Sequence, residues 1–181
     1  AVQPAVSASA ANVSGAAPGQ WVAQYFDGTE LTGAVRSSEV LPGTFLKYEL
    51  PSESHPSGTS SAVDWSARFT TVALFEKGNY KFIIRADDAA RVYINGRLAF
   101  DASGGTETVY ASKVLPMPAG SFTIRVDYWE YDGDNYVELF WQKTTDLPGE
   151  LDRDFVPPGS SVLPATTTGS TPSGGSVTPV T

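Results

Sequence analysis

The segment that follows Gly120 alternates between apolar and polar side chains over eight residues. The apolar side of this extended chain carries Phe122, Ile124, Val126 and Tyr128, and the polar side carries Ser121, Thr123, Arg125 and Asp127. A period of two predicts a β-strand with one face in the core and the other in water. No apolar pattern of helical period persists for three turns anywhere in the chain, so we predict an all-β fold.

Turn residues separate further short runs of strand-forming residues. Asn95-Gly96 stands between two apolar runs, which is a strong signal for a tight β-hairpin. Other turn signals precede strand-like runs at residues 80–85 and 136–141. Short strands at this spacing are typical of an antiparallel sandwich or barrel.

Charge divides the chain into a body and two tails. All 12 basic and 20 acidic residues lie between Asp27 and Asp154. Of the last 25 residues, 20 are Pro, Gly, Ser or Thr, a composition typical of a linker or stalk that can carry O-linked glycans. We therefore expect an uncharged tail at 1–19, a folded body at 20–145 and a linker at 146–181.

Composition argues against several functional classes. A net charge of -8 disfavours nucleic acid and anionic membrane surfaces as partners, and no apolar run approaches the roughly 18 residues of a membrane helix. The chain has no cysteine, and its one histidine, His55, lies in a Ser- and Pro-rich stretch typical of a loop. Thiol chemistry is thereby excluded and histidine-dependent catalysis is disfavoured, so we expect neither an enzyme nor membrane insertion.

The first residues bear on location and modification. The sequence starts at Ala1 with small residues, which are similar to the mature side of a secretory cleavage site. We therefore expect a secreted or cell-surface protein. Asn12 begins an Asn-Val-Ser sequon and is the predicted site of N-linked glycosylation.

Five blocks of the body resemble, in order, those of one known family. They are WVAQYF at 21–26, DWSARFT at 64–70, RADDAARVYING at 85–96, GSFTIRVDYWE at 120–130 and ELFW at 138–141. Together they are similar to the PA-14 (protective-antigen) domain over about residues 20–143. The resemblance implies an antiparallel β-sandwich that serves as a binding or structural module in secreted glycosidases, flocculins, adhesins, toxins and bacterial surface proteins.

The same resemblance implies a ligand site. In sugar-binding members of the family, two successive aspartates joined by a cis peptide bond hold a calcium ion that contacts sugar hydroxyls. An asparagine and backbone carbonyls from a later loop complete the ligands of the ion. Asp87 and Asp88 match the aspartate pair and Asn135 matches the asparagine, while Asp132 and Asp134 are further metal candidates in the same loop.

The chemistry of these side chains suits calcium but also allows a simpler interpretation. Calcium takes about six to eight oxygen ligands, and carboxylates, amides and carbonyls supply them without histidine or thiol. Four carboxylates held close together without a cation would repel one another. Alternatively, the aspartate pair forms a turn that bonds its own backbone, and Ala89-Ala90 adds no further ligand.

Residues around the end of the long strand offer further candidates. Trp129 and Tyr131 are out of phase with its apolar positions, so we predict that they contact ligand, with burial in the core as the alternative. The other tryptophans are expected in the core. Asp127 and Glu130 fall on opposite strand faces, which argues against a glycosidase pair, and both are expected to be exposed.

The tails suggest assembly. Residues 1–10 alternate, with Val2, Pro4, Val6, Ala8 and Ala10 on one side. A short uncharged segment of this kind can add a strand to the sheet edge of another subunit, and head-to-tail contacts of this type build filaments; a flexible leader is the alternative. We therefore favour a secreted, non-catalytic structural or adhesive subunit that polymerises through its tails, with a calcium-dependent carbohydrate-binding module as the alternative function.

Overall fold

The computed structural model of the chain describes residues 16–103 and 109–160. The predicted donor strand at 1–10, the sequon at Asn12 and the linker beyond residue 160 lie outside this part. The described residues form ten strands, in chain order β1 (Gln20–Asp27), β2 (Ser37–Pro42), β3 (Leu46–Leu50), β4 (Trp65–Phe75), β5 (Gly78–Asp87), β6 (Ala89–Ile94), β7 (Arg97–Ala102), β8 (Val109–Met117), β9 (Gly120–Glu130) and β10 (Asn135–Thr144). No helix among the described residues is long and apolar enough to span a bilayer.

The strands pair into two antiparallel sheets. The six-stranded sheet has the order β2-β1-β4-β9-β6-β7, and the four-stranded sheet has the order β3-β10-β5-β8. The longest pairing joins β4 to β9, from Trp65 opposite Glu130 to Phe75 opposite Gly120. The two sheets enclose a single core, which confirms the predicted antiparallel sandwich.

Aromatic side chains fill the space between the sheets. Trp21 and Trp65 are fully buried and Trp141 is 9% exposed, as expected for the tryptophans of a sandwich. The ring of Trp65 meets Tyr128 edge-on at 5.4 Å, and the ring of Trp21 lies 6.3 Å from that of Trp141. The first contact joins β4 to β9 within the six-stranded sheet, and the second joins β1 to β10 of the other sheet.

The Asn95-Gly96 hairpin is present between β6 and β7. Both residues have positive φ, +47° and +81°, the combination that a two-residue type I′ turn requires and that Asn-Gly adopts readily. The Asn95 side chain also accepts a hydrogen bond of 2.7 Å from the Thr123 N–H in β9. The turn therefore fixes the register of the hairpin and ties it to the neighbouring strand.

Three strands escaped prediction. β2 and β3 lie within the polar stretch 36–62, for which the sequence analysis predicts no strand, and β8 precedes the turn at 118–120. All three are edge strands. The burial pattern of β2, mostly exposed on both faces, explains why no apolar alternation marks it.

Residues 146–160 do not behave as the linker we assigned there. Phe155 is buried in the core, and the Arg97 guanidinium lies 4.9 Å from the centre of its ring. The backbone carbonyl of Val156 accepts a hydrogen bond from Arg97, and that of Pro158 accepts one from Asn95. These contacts hold the segment on the hairpin, so the packed unit extends past residue 145 to the end of the described chain at Ser160.

Candidate functional site

The junction of β5 and β6 carries the predicted aspartate pair. Asp87 ends β5 in the four-stranded sheet, and Ala89 begins β6 in the six-stranded sheet, so Asp88 lies where the chain crosses between sheets. The peptide bond between Asp87 and Asp88 is cis, in agreement with the geometry that the family resemblance implied.

Asp88 has one carboxylate oxygen fixed and one without a partner. The residue is fully buried, and its Oδ2 accepts hydrogen bonds from the N–H groups of Tyr131 (2.6 Å) and Asp132 (3.2 Å). Its Oδ1 is buried without a hydrogen-bond partner among the described residues. Burial raises the pKa of Asp88, and the nearby carboxylates of Asp87 and Asp132 raise it further.

Asn135 presents a second oxygen of the same kind. The register of β5 and β10 pairs Tyr136 with Asp87, which brings Asn135 to the same end of the sandwich as Asp88. The Asn135 side chain is buried, and its Nδ2 donates to the carbonyls of Pro51 (3.2 Å) and Gly133 (3.4 Å). Because these bonds orient the amide, Oδ1 is the atom left over, and it has no hydrogen-bond partner among the described residues.

Glu130 is a second buried carboxyl group at this end and corrects our expectation that it would be exposed. It is fully buried, and the Tyr128 hydroxyl lies 2.5 Å from its Oε2 and also contacts the Asp87 carbonyl. Burial raises the pKa of Glu130 to about 8, and Asp88, Asp87 and Asp132 contribute in the same direction. The signal was present in the sequence, since Glu130 continues the inward phase of Val126 and Tyr128.

The two contacts of the Tyr128 hydroxyl, with Glu130 and with the Asp87 carbonyl, are both satisfied when the Glu130 carboxyl group is protonated. The Tyr128 hydroxyl has one proton but lies within hydrogen-bonding distance of both Oε2 of Glu130 and the Asp87 carbonyl. A protonated Glu130 can donate to the Tyr128 oxygen while Tyr128 donates to Asp87, and both contacts are then satisfied. Burial also raises the pKa of Tyr128, which keeps its proton in place.

A loop from the polar stretch 36–62 supports the site. The Ser52 hydroxyl and the Glu53 N–H both donate to the carbonyl of Gly133, each at 3.1 Å. The Pro51 carbonyl holds the Asn135 amide. The loop after β3 therefore positions the loop between β9 and β10, a role that no sequence motif indicated.

The remaining predicted site residues are placed differently. Asp132 and Asp134 are exposed, and Asp132 reaches Asp88 through its backbone N–H. Tyr131 likewise contacts Asp88 through its backbone. Trp129 projects from the outer face of the six-stranded sheet, where the Arg91 guanidinium lies 5.1 Å from the centre of its ring; its side chain is half-buried there rather than part of the core.

Asp127 is the other carboxylate that we expected to be exposed. It is 4% exposed and lies on the outer face of β9, opposite in direction to Glu130, as the strand alternation predicted. Its Oδ1 accepts a hydrogen bond from Arg68 Nε at 2.9 Å and forms an ion pair with Arg125 Nε at 3.2 Å. Two arginines therefore compensate its charge, which single-strand alternation cannot reveal.

The donor set at the Asp88 end fits calcium rather than a transition metal. The described residues contain no group of three or more His, Cys, Asp or Glu side chains suited to holding a metal. What they offer is carboxylate, amide and carbonyl oxygen, including the two buried and unpartnered atoms Asp88 Oδ1 and Asn135 Oδ1. Hard cations such as calcium prefer all-oxygen ligands of this type.

The described residues form an antiparallel β-sandwich with buried acidic groups at one end. The sequence matches the PA14 domain family over residues 17–147. The chain therefore belongs to the PA14 domain family. No curated protein matches it in sequence.

Solved structures share the fold at low sequence identity. An anti-sigma factor domain-containing protein (16% identity, TM-score 0.57) and one from Clostridium clariflavum (20%, 0.53) align with 71% of this chain and with 44% and 43% of their own lengths. The chain thus spans less than half of either protein. A PA14 sugar-binding domain from an RTX adhesin (14%, TM-score 0.52) aligns with 74% of this chain and 94% of its own.

A further neighbour is an enzyme. The β-glucosidase from Kluyveromyces marxianus, solved in complex with glucose, has 17% identity and a TM-score of 0.51. The match covers 70% of this chain but 16% of the β-glucosidase. At these identities, the structural neighbours establish the fold alone.

Proposed function

We propose that this domain binds carbohydrate through a calcium ion held at the Asp87–Asp88 end of the sandwich. The observation that carries the proposal is the pair of buried, unpartnered oxygens, Asp88 Oδ1 and Asn135 Oδ1. A buried polar atom without a hydrogen bond costs about 1–3 kcal/mol. A cation at this end would satisfy both atoms.

The residues of the chain have separate roles in this proposal. The N–H groups of Tyr131 and Asp132 hold Asp88, and the Pro51 and Gly133 carbonyls hold the Asn135 amide. Asp87, Asp88 and Asn135 supply the side-chain ligands, and carbonyls of the β9–β10 loop complete the set. When bound, calcium supplies open coordination positions for vicinal sugar hydroxyls.

The names of two relatives support a carbohydrate ligand. One neighbour is described as a sugar-binding PA14 domain of an adhesin, and another is a β-glucosidase in which the matching part is a small fraction of the chain. Asp127 and Glu130 point to opposite faces of β9, and Asp127 forms ion pairs with two arginines, so the two carboxyl groups do not form a glycosidase pair. We therefore assign a non-catalytic, adhesive role outside the cell, with glycans as partners.

Two variants that make the same chemical change test the proposal. Asp88→Asn removes the charge of the buried carboxylate, and Asp134→Asn removes that of an exposed carboxylate in the neighbouring loop. By isothermal titration calorimetry, we expect Asp88→Asn to weaken calcium binding about 100-fold and Asp134→Asn to have little effect. Thermal unfolding without calcium serves as the folding control, because the amide oxygen introduced by Asp88→Asn can still accept both backbone hydrogen bonds.

Glycan binding is measured separately, on an array with calcium and with a chelator. The proposal requires signals that vanish with the chelator and in Asp88→Asn but persist in Asp134→Asn. The absence of calcium binding at millimolar concentration, the weak limit for extracellular calcium modules of about 10⁻³ M, would refute it. Glycan signals that survive the chelator would refute the role of the ion.

A further inference from the structure

At the end of the sandwich away from Asp88, the six-stranded sheet has a gap beside β4. β4 pairs with β9 as far as Phe75, but its pairing with β1 stops at Thr70, opposite Val22. The backbone edge of β4 from Val72 to Phe75 therefore has no neighbouring strand on the β1 side among the described residues. An unpaired edge of this kind can accept a strand.

The cause of the gap is the path of the chain at the start of β1. The N–H of Gln20 donates to the carbonyl of Ala17 at 3.0 Å, and its carbonyl accepts the Thr71 hydroxyl at 2.6 Å. The Gln20 N–H is thus engaged with Ala17 and its carbonyl with the Thr71 side chain, and the register with β4 begins only at Val22. Residues 17–19 are exposed, so the chain leaves the sheet here instead of following β4.

A groove of about 360 Å³ occupies the gap. It is lined by residues of β4, of the turn before β1, of the segment between β2 and β3 and of the opposite sheet, namely Val72, Ala73, Leu74, Pro18, Gly19, Thr44 and Trp141. Leu74 is 74% exposed, and Phe45 packs edge-on against Trp141 at 5.1 Å next to the groove. No lining residue is charged, although the protein as a whole has a net charge of -8.

The sequence contains a segment whose chemistry fits this groove. Residues 1–10 carry no charge and alternate, with small apolar residues such as Val2, Val6 and Ala8 on one side. As an added strand beside β4, the segment would turn one row of side chains toward Trp141 and the other toward solvent. Because neither the groove lining nor the segment carries a charge, no charged side chain would lose its hydration when the two associate.

We propose that the groove beside Val72–Phe75 accepts the N-terminal segment, residues 1–10, of a second copy of this chain. Within one copy, Pro18 and Gly19 form an exposed turn beside the groove, from which the preceding segment can extend to a neighbour. Ten extended residues reach about 33–36 Å, enough to enter the groove of a neighbour. Because donor and acceptor are different surfaces, the contact is heterologous and repeats head to tail, and it builds a fibre when the rotation between copies does not close a ring.

This inference does not depend on calcium or glycan binding. The groove and the Asp88 end use different residues, so each can fail without the other. Assembly is measured in the absence of calcium and sugar, which keeps the two proposals distinguishable.

Cross-linking between two variants of the full chain tests the contact. The chain has no native cysteine, so Val6→Cys and Leu74→Cys each introduce a unique thiol. Mixed and treated with a short bismaleimide, the two variants are expected to give a heterodimer at about tenfold higher yield than Val6→Cys mixed with Leu151→Cys. Leu151 is 96% exposed, so random collision would favour the control.

A second pair of variants tests assembly directly. Leu74→Asp puts a charge at the wall of the groove, whereas Leu151→Asp puts one on an exposed position elsewhere. By sedimentation velocity, we expect Leu74→Asp to raise the concentration needed for assembly about tenfold and Leu151→Asp to leave it unchanged. Both sites are exposed, so both variants should retain the wild-type melting temperature.

Three results would overturn the inference. The first is wild-type protein that stays monomeric at all accessible concentrations. The second is equal heterodimer yield with Leu74→Cys and Leu151→Cys. The third is a Val6→Cys/Leu74→Cys double variant that cross-links only within one chain, which would show that the segment fills the groove of its own copy.

Discussion

The middle and the end of β9 both bury carboxyl groups, yet they treat the charge in opposite ways. In the middle, Asp127 contacts Arg68 and Arg125 on the outer face of the sheet. At the end, Asp88 and Glu130 have no ion pair among the described residues, and burial raises the pKa of both. The fold therefore pairs the negative charge of Asp127 with two arginines, but it places no cationic side chain beside Asp88 or Glu130 among the described residues.

This difference separates a structural site from a binding site. Because a buried charge is costly unless it is paired, the arginines at Asp127 identify a locally complete arrangement. The uncompensated oxygens at Asp88 and Asn135 identify an arrangement that an external cation would complete. The pairing of charge, more than the presence of acidic residues, therefore distinguishes the two regions.

The largest expected effect concerns the middle of β9. Asp127→Asn removes the shared partner of two arginines, and we expect a loss of about 3 kcal/mol in the free energy of unfolding, since breaking a buried pair is strongly destabilising. Urea denaturation measures it. The control is Asp101→Asn, whose pair with Arg91 is 40% exposed on both sides and should cost less than about 1 kcal/mol. Equal losses would contradict the distinction between buried and exposed pairs.

A smaller effect is expected at the boundary between the two regions. Arg91→Ala removes both the ion pair with Asp101 and the guanidinium over Trp129, and we expect a loss of about 1 kcal/mol, measured by urea denaturation. Calcium affinity should stay unchanged, because Trp129 lies on the outer face, away from the core-facing Glu130. A drop in calcium affinity would instead extend the binding site to this face.

The smallest effect is expected at the acidic end. Glu130→Gln keeps a hydrogen-bond partner for the Tyr128 hydroxyl and removes a carboxyl group that no cation among the described residues compensates. In calcium-free buffer, we therefore expect the free energy of unfolding to be unchanged or slightly higher. A clear destabilisation in urea would show that Glu130 is compensated by contacts other than those with Tyr128, and the comparison with Asp127 would fail.

Local sequence patterns were sufficient for the central strands, and the family resemblance was sufficient for the candidate ligands. The alternation after Gly120 predicted β9, Asn95-Gly96 predicted the hairpin, and the resemblance identified Asp87, Asp88 and Asn135. The edge strand β2 was not predictable, because few of its side chains enter the core. β3 is different: Leu46 and Tyr48 are buried between exposed polar residues, so its alternation was visible in the sequence and was missed. The supporting loop at residues 51–53 follows β3 and was missed with it.

The sequence by itself determined the central strand β9 and the hairpin at Asn95-Gly96, because the period of two and the turn residues act over a few neighbouring positions. Only the tertiary structure decided which polar groups are buried and which partners they contact. Whether Asp127 meets two arginines, whether Asp88 keeps an unpaired oxygen, and whether Phe155 returns to the core all depend on residues distant in sequence. Whether a buried charge is paired depends on residues that neighbouring strands bring close in space, and the pattern of a single strand does not show them.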